Sequence, residues 1–376
     1  MKMLILGNQA GTLVNFWSVL VRNALEFCRE IVCAVPDADS RAENRLTGLG
    51  VRVVHYKLDR KGMNPLRDAH TLLDLTRLLK REKPDILFAS TIKPVIYGCL
   101  AARLASVPHV FAAITGLGYA FEADTPLKKC VNLLGVQLYR IALRHAEGIF
   151  FQNQDDVDVF RRNGILRNNV RARITRGVGV DVRRFGQAPL PPQPLIFLLV
   201  GRLLEAKGLP EYAAAARLLK KRHPEVRFQV LGPPEQGPGS IPLDAVKAWE
   251  QEGDIEYLGK TDDVRPCIAA AHVLVLPSRR EGAPTALMEG MSMGRPAVAT
   301  NAPGCREVVR DGLNGFLVPV RDAAALAEAM EKFILDPDSV AVMGAAARAF
   351  AETECDAEHV AGQILRGMNV IQGVGS

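Results

Sequence analysis

Two cations stand close together in the second half of this 376-residue chain, where a predicted strand ends. The apolar run 195–200 is followed by Gly201, Arg202 and, five residues later, Lys207. A guanidinium and an ammonium at the carboxyl edge of a strand can trap an anion, because one offers a fork of donors and the other a point charge. The alternative is two ordinary surface cations, and their spacing alone leaves both interpretations open.

A second segment, residues 281–289, has the composition of a turn that leads into a helix and borders a ligand. Its Gly-Ala-Pro sequence lets the backbone approach a ligand closely, and Pro284 suits the first turn of a helix. Free amides are expected near residues 283–286, where the helix starts, and they favour phosphate. Glu281 and Glu289 are then candidates to accept hydrogen bonds from sugar and ribose hydroxyls, although two glutamates at this spacing are a weak signal by themselves.

The elements that must position these residues alternate between apolar strands and amphipathic helices. This pattern predicts an α/β fold with parallel sheets covered on both faces. In the first half we predict strands at 2–7, 31–35, 51–54, 85–89, 109–114, 148–151 and 171–175, and helices near 12–28, 39–48, 66–82, 94–105, 126–145 and 154–163. In the second half we predict strands at 195–200, 226–231, 255–258, 273–276, 296–300 and 315–318, and helices near 207–222, 242–252, 263–269, 285–293, 304–310 and 322–334.

A proline-rich segment, residues 187–194, separates the two halves. Its four prolines remove four backbone donors, so it is neither helix nor inner strand. We therefore predict domains at 1–186 and 195–354, which is reasonable for a chain of this length. The last helix, roughly 355–372, is expected to pack back on the first domain. Ligands are expected in a cleft at the carboxyl ends of the strands.

The charge is unevenly distributed along the chain. Residues 1–190 hold 28 Lys and Arg against 17 Asp and Glu, whereas the remainder holds 19 against 24. A basic first half suits an anionic membrane surface or a phosphate-bearing acceptor, or simply solubility. Nucleic acid is disfavoured as a partner, because aromatic residues make up only 6% and do not interleave with the basic ones.

Several features indicate a cytosolic protein. No apolar run reaches the roughly 18–20 residues that span a membrane. The apolar start is too short for a signal peptide. The seven cysteines are scattered without a Cys-x-x-Cys pair, which is typical of reduced and mostly buried thiols.

Taken together, these segments resemble the donor-binding signature of family 4 retaining glycosyltransferases. Residues 281–300 read E-G-A-P-T-A-L-M-E-G-M-S-M-G-R-P-A-V-A-T, and residues 201–208 read G-R-L-L-E-A-K-G, the family's other donor motif. The resemblance covers the whole chain and is most specific over 195–320. It implies the GT-B architecture, in which two Rossmann-like domains face each other across a deep cleft.

The resemblance also implies roles for individual residues. Arg202 and Lys207 would hold the donor diphosphate and, with Glu281, act at the reacting centre. Glu289 would bind the ribose hydroxyls. The sugar and phosphate would lie against Glu281 and the backbone of Gly282, Ala283, Pro284 and Thr285, and the base would lie beside Tyr257, Leu258 and Gly259. Gly11, after the first strand, would allow a close approach of donor or acceptor.

No cofactor and no metal are expected, because cations and a helix N-terminus neutralise the charge of the leaving group. Two Asp-x-Asp pairs, Asp37 with Asp39 and Asp156 with Asp158, are interpreted as surface residues. The family retains the anomeric configuration. We therefore expect a front-face displacement in which the departing diphosphate takes the acceptor's proton, without a covalent glycosyl-enzyme.

The first domain resembles a branch of bacterial enzymes that extend undecaprenyl-diphosphate-linked sugars, through residues 90–98 and 108–119. This implies a UDP-sugar donor, and the favoured transferred sugar is N-acetylgalactosamine or another N-acetylhexosamine. It also implies a polyprenyl-diphosphate-linked acceptor at the inner face of the plasma membrane, in glycan, O-antigen or capsule assembly. Lys93, Thr115 and Gly116 would bind the acceptor. Lys93 follows a strand end, where a cation could meet the lipid's diphosphate, although it is alternatively a surface lysine beside a helix. Many members carry His where Thr115 stands, so no histidine role is carried over, and His109 is expected to pack within its strand.

Residues 127–140 are apolar with flanking lysines, which suits either a helix lying on a membrane or a buried core helix. Other functions remain open as well. A sugar-nucleotide epimerase of related fold would need an acid and a base among carboxylates and histidines of the cleft. A GDP-mannose-dependent transferase and a non-catalytic nucleotide-sugar sensor are further alternatives.

Overall fold

The structure, a computed structural model, describes residues 1–60, 62, 64–117, 126–166 and 170–371, without the side chains of 126–130. The chain divides into two compact units. The first holds Met1–Val178 together with the C-terminal segment from Ala357, and the second holds Gly179–Asp356. Within the described ranges, no helix has both the length and the apolar character needed to cross a membrane.

The first unit is built on a seven-stranded parallel sheet in the order β3-β2-β1-β4-β5-β6-β7. Its strands are β1 (Lys2–Leu6), β2 (Glu30–Val35), β3 (Arg52–His55), β4 (Ile86–Ser90), β5 (His109–Ile114), β6 (Gly148–Phe151) and β7 (Arg171–Ile174). Its helices are α1 (Ala10–Ala24), α2 (Ser40–Gly48), α3 (Pro65–Glu82), α4 (Ile92–Leu104), α5 (Pro126–Ala142), α6 (Gln154–Arg162) and, from the end of the chain, α13 (Ala357–Gly367).

The second unit repeats the plan with a six-stranded parallel sheet in the order β10-β9-β8-β11-β12-β13. Its strands are β8 (Ile196–Val200), β9 (Arg227–Leu231), β10 (Glu256–Tyr257), β11 (Val273–Leu276), β12 (Ala297–Thr300) and β13 (Gly315–Val318). Its helices are α7 (Leu209–Lys220), α8 (Leu243–Gln251), α9 (Arg265–Ala269), α10 (Thr285–Ser292), α11 (Ala323–Leu335) and α12 (Asp338–Glu354). The predicted α/β class with two parallel sheets is therefore confirmed.

Both faces of the first sheet are covered, as the run of four buried apolar residues after Lys2 in β1 requires. In β1, Leu4 and Leu6 pack into the cluster that contains α3 and α4 side chains. Met3 and Ile5 point to the opposite face and pack with α1 and α13. The α13 contact is also polar, since Asn23 Nδ2 donates to Glu358 Oε2 over 2.7 Å.

The expected domain linker at 187–194 is corrected by the structure. The division falls earlier, between Val178 and Gly179, and the proline-rich segment belongs to the second unit. Arg295 is the physical reason, because this fully buried guanidinium donates to the carbonyl oxygens of Ala188 at 2.8 Å and Pro189 at 2.7 Å. Four further carbonyls, of Ile268, Ala269, Ala271 and Met293, complete its shell.

The expected helix at 304–310 is wrong, since turns occupy this segment. Gly304 has φ +86°, a left-handed conformation that does not continue a right-handed helix. Its amide donates to the Glu307 carboxylate over 2.7 Å, a local bond that competes with helix formation. The strand predicted at 255–258 is also shorter than expected, at Glu256–Tyr257.

In both sheets the strand order reverses at one place, between β1 and β4 in the first unit and between β8 and β11 in the second. Open α/β sheets bind ligands outside the carboxyl ends of their strands at such a switch point. The loops that follow these four strands are therefore the place to look for function.

Candidate active site

The loops after β8 and β11 lie directly against each other at the switch point of the second unit. Gly208 has φ +74°, and a Cβ added there would lie 2.1 Å from the carbonyl oxygen of Pro277. Only glycine permits this approach of two backbones. The side chain of Lys207 lies over Gly201, with its Cδ 3.7 Å from the position a Cβ would take.

Lys207 and Glu281 form the central polar contact of this site. Nζ of Lys207 is 2.6 Å from Oε1 of Glu281, and the Ser278 hydroxyl donates to the same oxygen over 2.6 Å. Both side chains of the ion pair are mostly buried, at 22% and 11% exposure. The Thr300 hydroxyl in turn donates to the Ser278 carbonyl. Sequence reasoning missed Ser278 and Thr300, because neither was among the residues to which the motifs assign a role.

Arg202 belongs to the same loop but has a different environment. Its guanidinium is 57% exposed, and Nη1 lies 2.8 Å from Oε2 of Glu235. An exposed pair of this kind contributes little stability, about 0–1 kcal/mol, so its rearrangement for a ligand costs little. The two predicted cations therefore occur together on one loop, one held firmly and one able to move.

The helix start after β11 differs in detail from the prediction. Free amides were expected near residues 283–286, but Pro284 has no N–H and the Thr285 amide donates to the Ala283 carbonyl over 3.0 Å. The amides of Ala283 and Ala286 donate to no other atom in the part of the chain that the structure describes. Two of the four expected positions therefore offer an amide to an anion, Ala283 before α10 and Ala286 in its first turn.

A third loop, after β12, contacts the backbone of Glu281. The Glu281 amide donates to the Pro303 carbonyl over 2.9 Å. A Cβ at Gly304 would lie 2.6 Å from the Glu281 carbonyl oxygen, so glycine is needed here as well. The glutamate is fixed by both its backbone and its side chain.

Glu289 lies in α10, one turn beyond the helix start. Burial raises the pKa of its carboxyl to about 7, a shift opposed by the charge of Arg184 and reinforced by that of Asp263. Its carboxyl oxygens have no hydrogen-bond donor among the described residues. A desolvated carboxyl group without a donor is well placed to receive ligand hydroxyls.

The segment Tyr257, Leu258 and Gly259 borders the same loops on the other side. The Tyr257 hydroxyl donates to the Gly232 carbonyl over 2.9 Å, and the Gly232 amide donates to the Gly259 carbonyl over 2.7 Å. A Cβ at Gly232 would lie 1.8 Å from the Gly201 carbonyl oxygen, which ties this segment to the loop of Arg202. Leu258 is 39% exposed and can offer an apolar surface to a flat ring.

In the first unit, a cavity of about 290 Å³ lies at the β1/β4 switch point. Predicted residues Lys93, Thr115 and Gly116 line it, together with Asn8, Leu58, Arg60, Thr91, Ile92 and Pro94. Gly11 is absent from this lining, and a Cβ added there meets nothing within 4 Å. The structure therefore brings together the three predicted acceptor residues but not Gly11.

One interpretation about surface residues needs correction. Asp156 is fully buried rather than exposed; it lies in the first turn of α6, and its amide donates to Asn153 over 2.8 Å. Asp37 accepts from the Ala10 amide over 2.8 Å and so caps α1. Among the residues that the structure describes, no group of three or more His, Cys, Asp or Glu side chains is arranged to hold a metal ion.

His109 is not packed within its strand as expected. It is the first residue of β5 and is exposed, with Nδ1 2.8 Å from Oε1 of Glu147. The six cysteines with described side chains are thiols, five of them buried, as predicted.

Two Rossmann-like parallel-sheet units, each with a switch point, make up the GT-B fold. The solved structure of the Anabaena protein HepE in complex with UDP and glucose has this fold, with a TM-score of 0.79 at 19% identity over 99% of this chain and 100% of that chain. The profile "Glycosyl transferases group 1" matches residues 183–350, and the profile "Glycosyl transferase 4-like" matches residues 2–153. The chain belongs to the family 4 glycosyltransferases.

Two curated relatives share most of the chain's length. An N,N'-diacetylbacillosaminyl-diphospho-undecaprenol alpha-1,3-N-acetylgalactosaminyltransferase of Campylobacter jejuni is 24% identical, covering 88% of this chain and 88% of its own. A UDP-Gal:alpha-D-GlcNAc-diphosphoundecaprenol alpha-1,3-galactosyltransferase of Escherichia coli is 26% identical, covering 72% of this chain and 71% of its own.

Proposed function

We propose that the protein is a retaining, metal-independent hexosyltransferase. It moves an N-acetylhexosamine, with N-acetylgalactosamine as the favoured sugar, from a UDP-sugar donor to an undecaprenyl-diphosphate-linked sugar. The observation that carries the proposal is the Lys207–Glu281 pair beside the amides of Ala283 and Ala286. The site offers cationic charge and amide donors for a diphosphate, next to carboxylates for hydroxyl groups. The names of the two undecaprenyl relatives support the acceptor class.

In the proposed donor complex, the diphosphate lies between the two cations and the start of α10. Arg202 exchanges Glu235 for a phosphate oxygen, and Lys207 turns part of its donor capacity from Glu281 to the other phosphate. The amides at the start of α10 add neutral donors. Glu289 accepts from the ribose hydroxyls, and Glu281, held by Ser278, accepts from the transferred sugar.

In the proposed transfer step, the bond between the anomeric carbon and the diphosphate oxygen breaks on the face where the acceptor oxygen bonds. The departing phosphate oxygen takes the proton of the acceptor hydroxyl. Because the leaving group gains negative charge, fixed cations and amides lower the barrier, and each such donor is typically worth about 100- to 1,000-fold in kcat. Glu281 is not the nucleophile in this proposal; Lys207 and Ser278 hold its Oε1, and the carboxylate accepts from hydroxyl groups of the sugar.

The acceptor is proposed to bind in the 290 Å³ cavity of the first unit, which Lys93, Thr115 and Gly116 line. A lipid-linked acceptor requires contact with a membrane, and α5 supports this part of the proposal. Three of its apolar side chains are exposed, which a buried core helix does not explain: Leu133 by 63%, Leu134 by 62% and Ile141 by 42%. The side chains of Lys128 and Lys129, predicted to meet anionic headgroups, lie outside the described residues.

The epimerase alternative finds little support in the second unit. His223 is paired with Glu331, and His272 accepts from the Ile196 amide. Both histidines are thus engaged away from the loops after β8 and β11. A sensor would need no catalytic use of the cations, and a GDP-mannose enzyme would differ only in its donor.

A donor screen in the presence of chelator tests the proposal. The protein is incubated with each UDP- or GDP-sugar and a short-chain undecaprenyl-diphosphate N-acetylhexosamine analogue. The mass of the lipid is then measured by mass spectrometry. One added N-acetylhexosamine from a UDP donor supports the proposal. Transfer of mannose from the GDP donor would favour the alternative. Epimerised UDP-sugar without transfer would favour an epimerase.

A further inference from the structure

The cavity at the β1/β4 switch point contains polar atoms that lack partners. Asn8 Oδ1 and Thr91 Oγ1 are buried and make no hydrogen bond within the described part of the chain. Thr91 also has φ +73°, which is costly for a β-branched residue. Orphan polar atoms and backbone strain of this kind are retained where a ligand completes the site. A ligand with hydroxyl or amide groups fits these two atoms.

Lys93 does not supply the charge of this cavity, although it lines it. Its ammonium donates to the carbonyl oxygens of Asp59 at 2.8 Å and Gly62 at 2.7 Å, and to Oδ1 of Asp68 at 2.7 Å. Three N–H groups are all that an ammonium has. The Lys93 side chain is 18% exposed and that of Asp68 15%, so a diphosphate would have to break three shielded hydrogen bonds to bind here.

The backbone that Lys93 holds at Asp59 and Gly62 carries a different cation. These two residues are also joined directly, because the Gly62 amide donates to Asp59 Oδ1 over 2.9 Å. Between these two residues stands Arg60, which is exposed and lines the 290 Å³ cavity. Its guanidinium has no ion pair or hydrogen bond with any of the described residues.

Arg60 also lines a second, more open groove of about 700 Å³. Lys57, Arg67 and His70 lie along it. The guanidinium thus stands where a sugar-sized cavity opens into a basic surface groove. A ligand with a sugar at one end and an anionic group next to it matches this order of features, since Arg recognises phosphate by a planar fork of donors.

We propose that Arg60 binds the diphosphate of the lipid-linked acceptor and that Lys93 is a positioning residue, which holds the backbone at Asp59 and Gly62 so that Arg60 faces the cavity. Asn8 and Thr91 receive the acceptor sugar. This inference rests on the proposed function, because it assigns the acceptor's charged group to one residue. It reassigns the phosphate contact that the sequence suggested for Lys93.

Binding of a short-chain prenyl diphosphate, measured by calorimetry, tests the assignment without requiring turnover. Arg60→Gln should weaken binding about 10- to 100-fold, as expected for the loss of a charge-assisted contact, and Arg60→Lys should weaken it less. Arg77→Gln, on an arginine of α3 outside both cavities, is the matched control and should bind like the unmodified protein. Equal binding by Arg60→Gln and the unmodified protein would overturn the proposal.

Lys93→Met separates positioning from direct contact. It should weaken prenyl diphosphate binding and also raise hydrogen exchange of the amides of Asp59, Arg60 and Gly62, because this segment loses the two hydrogen bonds that Lys93 donates to its carbonyl oxygens. Weaker binding with unchanged exchange would mean that Lys93 touches the diphosphate itself, contrary to the proposal. UDP binding should stay unchanged in both variants. If Arg60→Gln loses prenyl diphosphate binding while no sugar transfer is found, the proposed function fails and the anion site stands.

Discussion

Lys207 Nζ lies 2.6 Å from Glu281 Oε1 and joins the loop after β8 to the loop after β11. Each residue belongs to a different motif, 74 positions apart along the chain. The pair places a cation and a carboxylate at the switch point of the second sheet, where a nucleotide-sugar has charge and hydroxyl groups to present. Lys207 is therefore the residue that we propose to act on the leaving group.

Lys207→Ala should lower kcat about 100- to 1,000-fold, because the leaving diphosphate loses one fixed cation in the transition state. UDP affinity should fall less than kcat, and this difference distinguishes an enzyme from a sensor. Steady-state kinetics and calorimetry measure the two quantities. Lys221→Ala, an exposed lysine after α7, is the control and should leave both unchanged. A loss of affinity and nothing else would favour the sensor.

Glu289 should make UDP binding depend on pH near neutrality. Its pKa of about 7 means that the carboxyl group is largely protonated below pH 7 without ligand. Ribose hydroxyls donate to the ionised form, so UDP affinity should rise as the pH is raised through the pKa and protons leave Glu289. Calorimetry in two buffers of different ionisation enthalpy should detect proton release on binding just below that pKa. Glu289→Gln should abolish the release, and a release that persists in this variant would contradict the assignment.

The same carboxyl group should affect stability with a definite sign. Its pKa is raised from the ordinary value of 4.5 to about 7, so the folded protein holds a proton that the unfolded chain loses between these values. The contribution to stability is therefore unfavourable above pH 7, by up to about 3 kcal/mol, and vanishes below pH 4.5. Glu289→Gln should raise the free energy of unfolding above the folded-state pKa more than near pH 4.5. Urea denaturation in both ranges measures the difference, and an equal effect would refute it.

Arg295→Met should destabilise the second unit by about 3–5 kcal/mol, because six buried carbonyl groups lose their shared donor. Burial lowers the pKa of this guanidinium to about 10, so it remains charged at neutral pH. Chemical denaturation followed by circular dichroism measures the loss. Arg183→Met, on an exposed arginine, should change stability by less than about 0.5 kcal/mol. Similar stabilities for the two variants would show that Arg295 does not hold the proline-rich segment in the second unit.

Leu133→Ser with Leu134→Ser should weaken binding to vesicles containing anionic lipids by about tenfold or more, since each substitution removes apolar area that would enter the interface. Sedimentation with vesicles measures the binding. Leu335→Ser, which changes a leucine that is 72% exposed in the second unit, controls for the loss of exposed apolar area in general. Unchanged binding of the double variant would remove α5 from the proposed membrane contact.

Much of the fold could be predicted, because short apolar runs mark the strands and apolar residues recur at helical spacing in the amphipathic helices. The predicted bounds of β5 and β6 agree with the structure to the residue. The failures have local physical causes. Gly304 and the Glu307 side chain replace a predicted helix with turns, and Arg295 draws the proline-rich segment into the second unit. Neither effect leaves a periodic pattern in the sequence.

The candidate site was predictable as a set of residue types but not in its partners. Motif spacing placed Lys207 and Glu281 at strand ends, and the structure joins them directly. Their support by Ser278, and the engagement of Lys93 by three acceptors, depend on side-chain directions that sequence spacing does not encode. Arg60 carried no signal, because it is one of many basic residues in its half of the chain.

A single reaction decides whether the protein transfers a sugar from UDP with retention and without a metal. UDP-N-acetylgalactosamine, a short-chain undecaprenyl-diphosphate N-acetylhexosamine analogue and excess chelator are combined with the protein, and the anomeric configuration of the product is read by NMR. We expect one added α-linked sugar, formed as fast with chelator as without it. A β-linked product, or transfer that requires an added divalent ion, would contradict the proposed mechanism.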